Sequence, residues 1–267
     1  MASVPLLLIP PSEGKSAGGS SDPWAQGTGR FSMLDADRER VLAALVRAMR
    51  ASAVNRRALL GVRGDALAAA TAANLAVRVA PTRPAIERYT GVLYGALDTE
   101  TLPARSRQRA VGQLVIFSGL WGLLAPDDPI PDYKLKMGAS PKPLGKLSTW
   151  WRPRVTAALA ELTPGRTVWD LLPNEHAAAW APEAGSVGLR IGVRFLDRSV
   201  EDGVEHLVAV AHWNKLLKGA LVRHVLATQL ADPDGLTAFE HPLGYRYRPA
   251  LTESHGERVY VSMVRDV

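Results

Sequence analysis

Short apolar runs alternate with amphipathic stretches along this chain, and together they predict both strands and helices. The first run, Val4 to Ile9, is apolar throughout and predicts a buried strand. A Ser-x-x-Asp capping box at Ser32 then precedes a helix. The predicted apolar stripe of that helix is Leu34, Val41, Leu42, Leu45 and Met49. The N-terminal region thus predicts a strand followed by a helix.

The remaining pattern predicts a mixed fold. We expect helices over 65–77, from Pro84 to near Gly91, and over 104–117, 148–162 and 214–230, with Pro153 tolerable only if its helix effectively begins there. Strands are predicted over 167–172, 189–196, 205–211 and 258–264. The Gly- and Pro-rich stretch 118–145 predicts loop and short strand. The sequence therefore predicts one α/β (mixed α+β) domain, residues 1–267, with a central mixed sheet flanked by helices.

Composition narrows the classes of protein. The 267 residues are 47% hydrophobic, enough for a large core, and no apolar run reaches the length of a membrane span. Without a signal peptide pattern, we expect a cytoplasmic protein without a membrane partner. The chain has no cysteine, and its six histidines show no metal-ligand spacing. We therefore predict no metal site and no cofactor.

The stretch "LLLIPPSEGKSAGG" ends in a Gly-Lys-Ser that resembles part of a phosphate-binding loop. The first glycine of that motif is replaced by Ile9, and Pro10 and Pro11 lack the N–H groups that would surround a phosphate. We therefore reject a nucleotide-hydrolysing loop. Lys15, at the carboxyl end of the first strand, remains a candidate for binding an anion, and a plain solvated loop is the alternative.

The net charge of +6 makes an anionic partner plausible, so the position of each cation matters. In "PDYKLKMG" a strand would place Tyr133 on one face with Leu135, and Lys134 on the other with Lys136. Two residues of strand advance ~7 Å, so the two ammonium groups would form a row that suits neighbouring phosphates. An ordinary lysine-bearing edge strand is the alternative.

The stretch "HWNKLLKGALVRHVL" places Lys215 and Lys218 in the first turns of a helix that starts at Asn214. Cations there oppose the helix dipole, so the sequence favours an anion site or, equally, lysines that extend along a surface turn. The spacing of Gly119 and Gly122 in "FSGLWGLLAPDD" is also typical, though weakly, of the hairpin in a helix-hairpin-helix module. Nearby tryptophans, Trp121, Trp150 and Trp151, could stack on bases or lie in the core.

Several segments together resemble the YaaA family of bacterial peroxide-stress proteins. They are "LLLIPPSEGKSAGG", "YTGVLYGAL" (89–97), "FSGLWGLLAPDDPIPDYKLKMG" (117–138), "VWDLLPNEH" (168–176) and "NKLLKGALVRHVL" (214–226). The third is the most specific. The segments lie in the family's order and span nearly the whole chain.

The resemblance implies a cytoplasmic mixed α/β protein with a positively charged cleft and a helix-hairpin-helix-like element. It also implies DNA binding and a role in limiting oxidative damage by lowering the availability of reactive iron. The residues expected to bind nucleic acid or another anion are Lys15, Tyr94, Tyr133, Lys134, Lys136, Lys215, Lys218 and Arg223. Ala125 stands where family members commonly have arginine, and Lys136 where they have an acidic residue, so the DNA footprint need not be identical.

Two hypotheses follow for the cleft. In the first, its lysines contact the phosphates of DNA, expected to be double-stranded, without reading the sequence. In the second, the cleft holds a small anionic metabolite or nucleotide and an enzymatic reaction takes place there. Lys15 and Lys218 would then hold the anion, and Glu13, Tyr133 or Glu175 would transfer a proton. The sequence gives no catalytic assignment beyond these three, and an iron-sequestering protein is disfavoured by the lack of clustered ligands.

Overall fold

The computed structural model of the protein describes residues 4–210, 214–241 and 243–267. Its strands are β1 (Leu6–Ile9), β2 (Arg83–Pro84), β3 (Leu114–Ser118), β4 (Gly122–Leu124), β5 (Pro129–Ile130), β6 (Thr167–Asp170), β7 (Leu189–Glu201), β8 (Val204–Ala209), β9 (Arg246–Tyr247), β10 (Glu253–His255) and β11 (Arg258–Asp266). Its helices are α1 (Asp35–Met49), α2 (Ala53–Leu60), α3 (Gly64–Ala76), α4 (Ala85–Arg88), α5 (Val92–Leu97), α6 (Ala104–Gln113), α7 (Leu147–Ala160), α8 (Asn174–Ala177) and α9 (Asn214–Thr228). The predicted α/β class with a mixed sheet is confirmed.

A parallel set of strands, in the order β11-β7-β6-β1-β3, forms the middle of the large sheet. Antiparallel strands complete it, because β4 pairs with β3, β10 and β9 with β11, and β8 with β7. The side chains of β1 and β3 are completely buried, as the apolar run in β1 predicts. Since β3 and β6 flank β1 on opposite sides, the loops that leave these strands diverge at the carboxyl end of β1.

Helix packing brings α9 close to α5. Gly219 of α9 faces the backbone of Leu93, and a Cβ at position 219 would overlap the Leu93 carbonyl. This contact holds the N-terminal half of α9 beside the loop after β1. None of the helices in the described ranges is long and apolar enough to cross a bilayer.

Three predicted helices differ from the structure. The helix expected over 104–117 ends at Gln113, and its last residues form the central strand β3, because the run LVIFS is buried on both faces. The helix expected to begin at Pro153 begins at Leu147, since Trp151 anchors its first turns in the core. Pro84 belongs to β2 and precedes α4, and a second helix, α5, begins after Gly91. Ala211, the predicted end of a strand, lies outside the described residues.

The helix-hairpin-helix-like element predicted around Gly119 and Gly122 is wrong in its secondary structure. The segment is the antiparallel hairpin of β3 and β4, paired through Phe117 and Leu123. Gly119 packs against the backbone of Lys136, and Trp121 is fully buried. The small residues are therefore used for packing inside the protein.

The predicted capping box at Ser32 is also absent. Ser32–Leu34 form a short 3₁₀ turn, and α1 has no side-chain N-cap. The Asp35 carboxylate instead accepts a hydrogen bond from the Gly27 N–H and pairs with buried Arg38 at 2.8 Å. The predicted stripe of apolar residues on this helix is nevertheless buried, as expected.

Candidate functional site

A cavity of about 490 Å³ opens at the carboxyl ends of the parallel strands. The loop after β1, the loop after β6, the extended segment 131–137 and the first residues of α5 and α9 surround it. Its wall contains Pro10, Pro11, Ser12, Glu13, Lys15, Gly91, Val92, Leu93, Tyr94, Tyr133, Lys134, Leu135, Lys136, Pro173, Glu175, His176 and Lys215. The position agrees with the rule that open α/β sheets bind ligands where their strand connections diverge.

Backbone contacts hold the loop after β1 against the residues that precede α5. Thr90 donates its N–H to the Gly14 carbonyl at 3.0 Å, and Ser16 donates to the Arg88 carbonyl at 2.8 Å. A Cβ at Gly14 would lie 2.8 Å from the Thr90 hydroxyl oxygen, so glycine permits this close approach. The loop that carries Glu13 and Lys15 is thus held at both ends.

The segment Tyr133 to Met137 alternates as predicted, although it pairs with no strand within the described ranges. Tyr133, Leu135 and Met137 are buried, while Lys134 and Lys136 are more exposed. The Asn74 side chain replaces a neighbouring strand: it accepts from the Lys134 N–H at 2.8 Å and donates to the Lys134 carbonyl at 2.9 Å. These bonds keep both lysines on the cavity side.

Glu13 forms ion pairs with both of these lysines. Its two oxygens lie 3.1 Å from the Lys134 ammonium and 3.0 Å from the Lys136 ammonium, and its side chain is 63% exposed. The hydrogen bond from Lys136 is the main reason that the pKa of Glu13 falls to about 2. An internal carboxylate therefore occupies the position that an anion bound by these lysines would take.

Lys15 projects into the cavity over aromatic rings. Its ammonium lies 4.3 Å from the centre of the Tyr133 ring and 5.6 Å from that of Tyr89, and it donates to the Ser12 carbonyl at 3.3 Å. Burial lowers the pKa of Lys15 to about 8, against the opposing effect of Asp132. Lys15 is consequently the lysine of this cavity with a clearly weakened hold on its proton.

The two predicted tyrosines serve the architecture of the site. The Tyr133 hydroxyl hydrogen-bonds to the Tyr89 hydroxyl at 2.6 Å and the Ser118 hydroxyl at 2.7 Å, and burial raises the pKa of Tyr133 to about 12. The Tyr94 hydroxyl donates to the Pro10 carbonyl at 2.9 Å. Both rings therefore line the cavity while their hydroxyls hold its walls together.

Glu175 and His176 lie side by side at the start of α8. The Glu175 carboxylate accepts a hydrogen bond from the Gly138 N–H, which ties α8 to the end of the segment bearing Lys136. Burial lowers the pKa of His176 to about 4, so its imidazole is neutral at pH 7. Within the described chain, its Nδ1 is buried without a hydrogen-bond partner. His176, which was not among the predicted site residues, can therefore accept a proton or a hydrogen bond.

The cations of α9 have separate environments. Lys215 lines the cavity. Lys218 donates its ammonium to the Leu171 carbonyl at 3.0 Å, behind the cavity wall, and burial lowers its pKa. Arg223 donates to the carbonyls of Leu97 and Asp98 at 3.1 and 2.7 Å, and so caps the end of α5. Six of the eight predicted binding residues thus share one wall, while Lys218 and Arg223 support the structure behind it.

Several residues that organise the site were missed in the sequence. Fully buried Asn74 orients Lys134, and fully buried Arg88 donates to the carbonyls of Ser16 and Ile130, at 2.5 and 3.1 Å. Tyr89 completes the hydroxyl network. A lone asparagine inside the Ala-rich α3 was the available signal for Asn74, because a buried amide needs partners.

Comparisons with known proteins give a consistent family. Residues 6–251 match the family described as peroxide stress protein YaaA. The chain is 39% identical over 242 residues to a UPF0246 protein of Streptomyces coelicolor, covering 90% of each chain. It is 35% identical over 252 residues to a UPF0246 protein of Corynebacterium glutamicum, covering 89% of this chain and 96% of the relative.

Proposed function

Because the chain belongs to the YaaA family of peroxide stress proteins, we propose that it binds DNA without sequence preference and thereby limits iron-dependent oxidative damage. The observation that carries this proposal is the lysine rim, which we define as Lys134, Lys136 and Lys215 around one cavity mouth. Ammonium groups in such a row attract phosphates, and phosphate contacts carry affinity without reading bases.

Charge replacement in the lysine rim tests this proposal. We expect Lys134→Ala/Lys136→Ala to weaken binding to a labelled duplex and to reduce the slope of log K against log salt by up to about 1.8, which corresponds to about 0.9 for each phosphate released. Fluorescence anisotropy at several salt concentrations measures both quantities. Lys142→Ala/Lys146→Ala removes the same charge from exposed positions outside this cavity and is the matched control. Equal slopes for the two double variants would exclude the rim as the DNA footprint.

Glu13 should compete with the DNA for the same lysines. We expect Glu13→Gln to raise the DNA affinity several-fold, because its carboxylate neutralises Lys134 and Lys136 in the free protein. The pKa of about 2 means that this competition persists through the neutral range. The same anisotropy titration, with Glu175→Gln as a second cavity carboxylate for comparison, measures the effect. An unchanged or lower affinity in Glu13→Gln would show that Glu13 is not in competition with phosphate.

A second candidate function is an enzyme that acts on a small anionic metabolite or nucleotide. The observation that favours it is the size of the cavity, about 490 Å³, which lies in the range of small-molecule sites. The neutral His176 and the lysine rim would then supply proton transfer and anion binding. A wild-type protein that does not bind duplex or single-stranded DNA at physiological salt, but is stabilised thermally by small phosphorylated compounds, would replace the first proposal with this one.

A further inference from the structure

The amine of Lys15 has a different environment from the lysine rim. It reaches the cavity from the loop after β1, with the rings of Tyr133 and Tyr89 on one side. Its hydrogen bond goes to a neutral carbonyl, that of Ser12. In the part of the chain that the structure describes, no carboxylate forms an ion pair with Lys15, whereas Lys134 and Lys136 both pair with Glu13.

This environment favours the uncharged amine. Burial lowers the pKa of Lys15 to about 8; Lys134 and Arg88 add to the lowering, and Asp132 and Glu13 oppose it. At pH 7 roughly a tenth of such an amine is unprotonated, compared with well under a thousandth for a lysine with an unperturbed pKa. A desolvated lysine beside other cations is the arrangement that activates an amine toward carbonyl compounds.

The cavity also provides for a charged substituent on the carbonyl compound. Lys134, Lys136 and Lys215 line the same 490 Å³ space as Lys15. A phosphate or carboxylate can therefore be held by the rim while another part of the same small molecule meets the amine. The exposed Glu13 carboxylate is the group that such an anion would displace.

We propose that Lys15 is a covalent site for a small anionic aldehyde or ketone, which it binds as an imine while the lysine rim holds the anionic group. The inference concerns the same cavity as the DNA proposal, but it does not require nucleic acid. Its result and that of the DNA titration can therefore succeed or fail separately.

The proposed step is balanced without an oxidant or reductant. The lone pair of the neutral Lys15 nitrogen attacks the carbonyl carbon, a C–N bond forms, and the carbonyl π electrons move to oxygen. Proton transfer from nitrogen to that oxygen gives a carbinolamine. Loss of water then forms the C=N bond. His176, whose neutral imidazole lines the cavity, is the group that can accept and return the proton.

Reductive trapping tests the proposal directly on the wild-type protein. Pyridoxal 5′-phosphate is the probe, because it combines an aldehyde with a phosphate, and sodium borohydride reduces any imine to a stable secondary amine. Peptide mapping by mass spectrometry then locates the adducts. We expect modification of Lys15 at pH 7 to exceed that of exposed Lys142 and Lys146 at least tenfold, and to rise with pH with a midpoint near 8.

Three comparisons distinguish the assigned amine from its neighbours. Pyridoxal, which lacks the phosphate, should modify Lys15 less than the phosphorylated probe does, and an excess of inorganic phosphate should protect it. Lys15→Arg keeps the charge and should lose this adduct while Lys142 and Lys146 are modified as before. Circular dichroism confirms that this variant is folded.

Other patterns would overturn the proposal. Modification of Lys15 no faster than that of Lys142 and Lys146 would show that its amine is not activated. Adducts that fall mainly on Lys134, Lys136 or Lys215 would assign the phosphate to the rim without a covalent role for Lys15. Equal modification by pyridoxal and its phosphate would remove the anionic group from the proposed class of ligand.

Discussion

Replacing Asp170 with alanine is expected to lower the free energy of unfolding by about 3 to 5 kcal/mol, the usual effect of removing one partner from a buried ion pair. The Asp170 side chain is fully buried at the end of β6. One of its oxygens accepts hydrogen bonds from Arg190 at 3.0 and 2.6 Å and from Arg258 at 3.1 Å, and the other accepts from the Leu172 N–H at 3.2 Å. The alanine variant leaves two guanidinium groups without their common anion.

Chemical denaturation with urea at pH 7 measures this loss. Asp266→Ala is the matched control, because Asp266 also pairs with two arginines, Arg198 and Arg248, but its side chain is 63% exposed. Exposed pairs are worth about 0 to 1 kcal/mol, so the control should stay close to the wild type. A loss of under 1 kcal/mol in Asp170→Ala would show that the two arginines find water or other partners instead.

The Asp170 cluster also supports one wall of the cavity. The residue that follows it, Leu171, accepts the hydrogen bond of Lys218, and Pro173 and Glu175 come shortly afterwards in the cavity lining. We therefore attribute the burial of charge here to the need to hold a loop with a fixed course at the end of β6. The sequence showed the strand in "VWDLLPNEH" but not that its aspartate had two distant arginine partners.

Local patterns predicted the parts of the site that depend on neighbouring residues. The apolar run in β1 identified a buried strand, and the alternation around Lys134 identified which side chains face outward. Placing Lys15 at the carboxyl end of a parallel strand then followed from general α/β architecture. These inferences needed only the period of the sequence and the rule for ligand position.

Long-range contacts account for the features that the sequence did not predict. Glu13 and Lys134 are 121 positions apart, so no spacing in the sequence could reveal that this carboxylate occupies the lysine rim. Arg223 looked like a cleft cation because it follows Lys218 on the same helix, yet it caps α5. The boundary between α6 and β3 was missed because short apolar runs fit a buried helix and a buried strand equally well.

Gly119→Ala is expected to destabilise the protein by about 1 to 3 kcal/mol, the usual range for overpacking a core, and to weaken DNA binding as well. A Cβ at this position would lie 2.7 Å from the carbonyl carbon and oxygen of Lys136 and 2.8 Å from the Leu135 carbonyl oxygen. These are backbone atoms, which cannot rotate away as a flexible side chain can. The segment that presents Lys134 and Lys136 would have to shift.

Thermal and urea denaturation measure the stability, and the anisotropy titration measures the DNA affinity of the same variant. Gly95→Ala is the matched control: its added Cβ meets nothing within 4 Å, and replacing a helical glycine by alanine should stabilise the protein by about 0.5 to 1 kcal/mol. If Gly119 instead let its N–H approach a DNA phosphate, as in a helix-hairpin-helix module, Gly119→Ala would weaken binding at unchanged stability. Joint loss of stability and affinity is the result that the β3–β4 hairpin requires, because Gly119 acts on the lysine rim through the backbone it packs against.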